Sequence, residues 1–160
     1  MRQGYYYILL LLLTACSNPA PKAEPEQNIP ITENNQNMQQ EKSGFLYMDK
    51  KREPFTNGRD NYNEMLLYAI GDTVSVEQLK QFCSNEKAKF TDGMFHIIVF
   101  FDKKENAVFP NNPVTALFIE QEQLQHIKAV YTYNRVNGYS KLSYYENNAW
   151  ESKVDEIQIN

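Results

Sequence analysis

The chain holds 160 residues, with 16 Lys and Arg against 20 Asp and Glu and a formal net charge of -4. A mildly acidic balance offers nucleic acid no basic footprint, which excludes that class of partner. Cys16 and Cys83 are the only cysteines, too few for a disulfide-built scaffold.

The first element is the apolar run Tyr5 to Leu13. It falls short of the roughly 20 apolar residues that a membrane-spanning helix needs, and it suits the hydrophobic region of an export signal. Arg2 and the amino terminus supply the positive start, and the small residues Thr14 and Ala15 sit where a signal peptidase tolerates little bulk. Cleavage before Cys16 is the expected outcome, which leaves the chain one charge more acidic through loss of Arg2.

Leu13-Thr14-Ala15-Cys16 resembles the lipobox of bacterial lipoproteins: an aliphatic residue, two small ones and a cysteine. The resemblance covers residues 1–16 alone. It implies a diacylglycerol on the Cys16 sulfur, removal of residues 1–15 as a signal peptide, and acylation of the new amino terminus. Cys16 is then a membrane anchor, since each buried methylene contributes about 0.8 kcal/mol and several chains act together. Ser17, where inner-membrane lipoproteins of many Gram-negative bacteria carry Asp, implies the outer membrane, and the lack of an acidic cluster before Glu24 favours the periplasmic side. The alternative is an ordinary secretory signal with a coincidental cysteine.

From residue 16 to 44 the chain carries Pro19, Pro21, Pro25 and Pro30 among Asn, Gln and Glu, with almost nothing to bury. This reads as a disordered tether, holding the rest of the chain on the order of 30 Å from the membrane. Residues 45–160 are the common size of one domain and show no internal repeat.

Within that domain the segment Asp49 to Asp60 reads as a long connection, locally basic through Lys50, Lys51, Arg52 and Arg59. The blander reading is a solvated hairpin turning at Asn57-Gly58. Met65 to Ile70 reads as a strand. Ser75 and Gln78 then form a capping box that opens a helix ending near Lys89, before the turn residues Thr91-Asp92-Gly93. Val76, Leu79, Phe82 and Cys83 fall at helical spacing, so Cys83 is expected to be a buried, inert thiol rather than a redox or intermolecular one.

Met94 to Phe101 is β-branched and aromatic at both parities and reads as a central strand. Val114 to Ile119 reads as a further strand, kept from a central position by Pro110 and Pro113. The two runs Ile127 to Val136 and Tyr139 to Tyr145, separated by Asn137-Gly138, predict a hairpin with a two-residue type I′ loop. That register sets Val136 against Tyr139, Tyr133 against Leu142 and Tyr131 against Tyr144. Ile127, Ala129, Tyr131, Tyr133, Leu142 and Tyr144 then face the core. The expected class is α+β: one helix packed on a four- to five-stranded, mostly antiparallel sheet.

No nucleophile elbow, zinc motif, C-x-x-C pair or phosphate-cradling glycine loop occurs. His96 and His126 are the only histidines, and they could join Asp102 as a metal or general-base site only if the fold converged them. The bland expectation is a satisfied core residue at His96 and a solvated one at His126. Tyr139, Tyr145 and Trp150 are the aromatics that the hairpin core leaves unexplained, and exposed aromatics suit sugar stacking or an interface.

The leading expectation is therefore a membrane-anchored envelope lipoprotein whose domain binds an envelope protein or a cell-wall component, without catalysis, metal or cofactor. Its binding surface would combine Tyr139, Tyr145 and Trp150 with Lys50, Lys51, Arg52 and Arg59. One alternative is an immunity or inhibitor lipoprotein that neutralises a toxin or hydrolase. Another is a small envelope hydrolase built around His96 and Asp102.

Overall fold

The structure, a computed structural model, describes residues 44–54 and 61–160. The expected signal peptide, Cys16 and the tether up to residue 43 lie outside the described residues, as do Arg59 and the Asn57-Gly58 turn. Among the described residues no helix is long and apolar enough to cross a membrane.

Six strands form one sheet in chain order: β1 (Phe45–Pro54), β2 (Tyr62–Ile70), β3 (Phe95–Phe101), β4 (Ile127–Asn134), β5 (Tyr139–Tyr145) and β6 (Val154–Gln158). All neighbours are antiparallel except β2 and β3, which run parallel because helix α1 (Val76–Lys89) crosses over between them. The α+β class therefore holds, with six strands rather than four or five. The additional strands are β1 and β6, both on the edges. Their charged stretches, Lys50-Lys51-Arg52-Glu53 and Asp155-Glu156, hide the strand pattern while guarding exposed edges against pairing with other chains. Pro54, the last residue of β1, sits where a missing N–H disturbs no central ladder.

Helix α1 begins as expected. The Gln78 N–H donates to Ser75 Oγ at 3.2 Å, and the Ser75 N–H donates back to Gln78 Oε1 at 2.8 Å. Leu79 and Cys83 on its inner stripe have no exposed surface and pack on Leu66, Tyr68, Ile98, Phe100, Tyr131 and Leu142. Phe82 seats the helix further, stacked on Phe45 at 4.3 Å and edge-on to Phe100 at 5.7 Å. Burying a side chain of this size contributes about 2 kcal/mol.

The sheet's other face is covered by the chain between β3 and β4, which explains why β2 and β3 are apolar at both parities. Val114 and Phe118 pack there on Met65, Leu67, Ile97, Val99 and Phe101. The expected strand over Val114 to Ile119 does not form. Both ladders of β3 are already taken by β2 and β4, so Val114–Ala116 forms a single 3-10 turn. Its first N–H donates to Glu53 Oε2 at 2.9 Å, and Leu117 adopts a positive φ of 56° that no strand could continue. A four-residue helix, α2 (Gln121–Leu124), leads back to the sheet.

The β4–β5 hairpin forms with a loop of Arg135-Val136-Asn137-Gly138, and its register differs from the expected one by two residues. Asn134 faces Tyr139, Tyr131 faces Leu142, and Ala129 faces Tyr144. A type I′ turn needs two central residues at positive φ, and here Gly138 alone has it, at 74°. Asn134 instead folds the loop around its own side chain, accepting from the Val136 N–H at 2.9 Å. A shift of two preserves parity, so Ala129, Tyr131, Tyr133, Leu142 and Tyr144 keep the predicted face. Ile127 does not: a bulge opposite Phe100 and Phe101 turns it into the layer with Val114.

Candidate functional site

Strand register builds the site. Arg52 on β1, Glu64 on β2 and His96 on β3 are successive cross-strand partners, so all three side chains emerge at one level on the face that carries α1. Glu64 is only 4% exposed, an acid at the start of the apolar run Met65 to Ile70. A buried carboxylate requires partners, and both oxygens have one. Arg52 Nε donates to Oε2 at 2.5 Å, and His96 Nδ1 donates to Oε1 at 3.1 Å. Because a carboxylate only accepts, this contact places a proton on Nδ1 of His96. Burial pushes the Glu64 carboxyl up, but the hydrogen bonds from His96 and Arg52 outweigh it and hold the group below the usual carboxylate range.

The end of α1 completes the enclosure. Phe90 stacks on the His96 ring at 4.7 Å, and the Arg52 guanidinium lies 4.4 Å from the centre of the Tyr62 ring. Gly93 makes this closure possible: it has a positive φ of 77°, and a Cβ there would come within 2.7 Å of Phe90 and 2.9 Å of Tyr62. The result is a pocket of about 230 Å³, lined among others by Lys50, Arg52, Tyr62, Glu64, Asp92 and His96. His96 is 2% exposed, and its Nε2 has no hydrogen-bond partner among the described residues.

At the far end of β3 lies a second pair. His126 Nδ1 contacts Asp102 Oδ2 at 3.1 Å, and Asn106 Nδ2 donates to Asp102 Oδ1 at 2.8 Å. Burial raises the Asp102 carboxyl, and the hydrogen bonds from Asn106 and His126 more than reverse that. The hydrolase arrangement of His96 with Asp102 does not form, because six residues of extended strand separate them by roughly 20 Å. No three His, Cys, Asp or Glu side chains converge in a metal-ligating cluster among the described residues. Cys83 is buried as expected, and burial drives its thiol pKa far above the usual range.

The residues expected to form one binding surface are dispersed. Lys50 and Arg52 line the pocket, whereas strand alternation sends Lys51 to the opposite face, where it pairs with Glu53 at 2.9 Å. Tyr139 is 42% exposed beside Lys141, and Trp150 is 50% exposed in the turn before β6. Tyr145 is partly buried against the layer containing Val114, which pushes its phenol pKa up. Tyr139 and Tyr145 occupy opposite ends of β5, roughly 20 Å apart. The β1 residues lie four strands away, roughly 19 Å.

Glu64 had no place among the candidates read from the sequence, although a signal existed. A single acid in Met65-to-Ile70's apolar neighbourhood, on a strand one crossover helix away from a core histidine, calls for a buried partner. Compared with known protein families, curated proteins and solved structures, the chain matches none. The chemistry of the site rests on its own residues.

Proposed function

We propose that this protein is an envelope lipoprotein, anchored through acyl chains on Cys16 at the outer membrane and facing the periplasm. Its domain binds an envelope protein or a cell-wall component rather than turning over a substrate. The Leu13-Thr14-Ala15-Cys16 box and the polar stretch after it support the anchor and tether. The observation that carries the binding reading is the pocket between β1, β2 and the end of α1, with a buried histidine nitrogen unpartnered among the described residues. Both carboxylate–histidine pairs support recognition over catalysis: each carboxylate spends its two oxygens on fixing neighbouring side chains.

Two measurements test this reading. Metabolic labelling with a fatty-acid analogue should mark the wild-type protein and leave Cys16→Ser unlabelled; label on both would remove the anchor. Gentle crosslinking of the lipidated protein in its own host, followed by mass spectrometry, should recover one near-stoichiometric protein or a wall fragment. Background alone from a folded, lipidated bait would overturn the binding partner.

A further inference from the structure

The pocket beside His96 is small and its polar groups are unevenly satisfied. Its volume of about 230 Å³ lies below the ~300–1,000 Å³ of drug-sized ligand sites, so an occupant has the size of an amino acid. Glu64 is engaged by Arg52 and His96, and Glu86 by Lys89 at 2.6 Å. Three groups remain. Neither Lys50 nor Asp92 has an ion-pair contact among the described residues; Asp92 accepts from the Thr91 hydroxyl at 2.7 Å and feels the Arg52 charge only from a distance. His96 Nε2 is the third, and in the neutral ring with the proton on Nδ1 it is an acceptor.

One kind of molecule answers all three. We propose that this pocket takes a small zwitterion of the α-amino acid type, its ammonium donating to His96 Nε2 and Asp92 and its carboxylate meeting Lys50. The zwitterion arrives either as a free amino acid or as the same group on a larger cell-wall molecule. The proposal rests on the binding-domain reading and narrows it to a ligand class. A buried acceptor left unpaired is unfavourable, and an occupant bearing a donor relieves it. The same asymmetry gives selectivity, because an analogue lacking the donor leaves Nε2 unpaired. Nε2 has no exposed surface, so seating the ammonium requires the pocket wall in the plane of the imidazole to part.

The test records the imidazole nitrogens of His96 by NMR in the full-length, detergent-solubilised protein. The probes are glycine, L-alanine and D-alanine, with acetate and methylamine as half-molecules and a soluble cell-wall fragment as the larger source. A saturable shift of Nε2 is expected with a zwitterion, with affinity at least about tenfold weaker for either half-molecule. Lys50→Gln and Asp92→Asn should each weaken binding by about tenfold while leaving the His96 spectrum of the empty protein unchanged. Saturation by the free amino acids assigns the first source, and by the wall fragment alone the second. The proposal is overturned by an unmoved Nε2 with every probe in a folded protein, by acetate binding as well as glycine, or by binding that survives both substitutions. With the Cys16 label and the crosslinked partner intact, such a result removes the zwitterion and leaves the envelope-binding reading. Loss of the label or partner with Nε2 still responding does the reverse.

Discussion

Glu64–His96 and Asp102–His126 each bring an imidazole Nδ1 within 3.1 Å of a carboxylate oxygen, one pair at either end of β3. Their surroundings differ. The first pair has side-chain exposures of 6% and 3%, against 26% and 37% for the second. Water reaches the Asp102 pair and competes for its hydrogen bonds, so the contact orients the Lys104–Asn106 turn and contributes modestly. Little water reaches the Glu64 pair, where the polar atoms are met mostly inside the protein or stay unmet. A carboxylate–imidazole contact of the same length is thus a surface tie in one place, where the Asn106 amide also lies 2.9 Å from His126 Nδ1, and a committed element of the core in the other.

The largest test of that contrast is Glu64→Ala. It strands the His96 Nδ1–H in the core, and a destabilisation of about 3 kcal/mol is expected in urea unfolding. A loss below about 1 kcal/mol would put the two pairs on the same footing. The pair should also shape the acid limb of stability. Its carboxyl is held below the usual value of 4.5 when folded, so as pH falls the unfolded chain takes up the proton first. The stabilisation is complete above the unfolded value and is lost as pH falls through the folded one. Unfolding midpoints measured through this range should decline, and Glu64→Ala should flatten the decline.

Ser75→Ala, remote from both pairs, calibrates the scale by removing the α1 cap at a cost of about 1 kcal/mol in the same assay. Asp102→Ala should cost about 0.5–1 kcal/mol, since water replaces the carboxylate as partner of His126 and Asn106. A cost matching Glu64→Ala would mean that burial does not separate the pairs. Smallest is Tyr139→Ser, an exposed position on the outer face, where a change within about 0.5 kcal/mol is expected. A larger loss would show that Tyr139 supports the hairpin.

Much of the fold was legible because its signals are local. The α1 cap depends on a hydroxyl and an amide three residues apart, and the faces of β4 and β5 depend on parity, which survived a two-residue change of register. The edge strands were hidden because their charged residues mimic loop composition. Val114 to Ile119 misled for the opposite reason: an apolar run specifies burial without specifying what it is buried against. At the site, His96 was visible as a core residue, whereas its partner Glu64 was not, since nothing within β2 names the strand beside it.

The sequence by itself determined the central strands β2 to β5, where α1 starts, and which side chains of the β4–β5 hairpin beyond the Ile127 bulge share a face, all matters settled within a few residues. Only the tertiary structure decided that β2 and β3 lie side by side in parallel and that Arg52, Glu64 and His96 meet at one level. It also decided that the chain after β3 caps the sheet instead of extending it. These outcomes depend on which ladders are already occupied, and that is a property of the whole sheet.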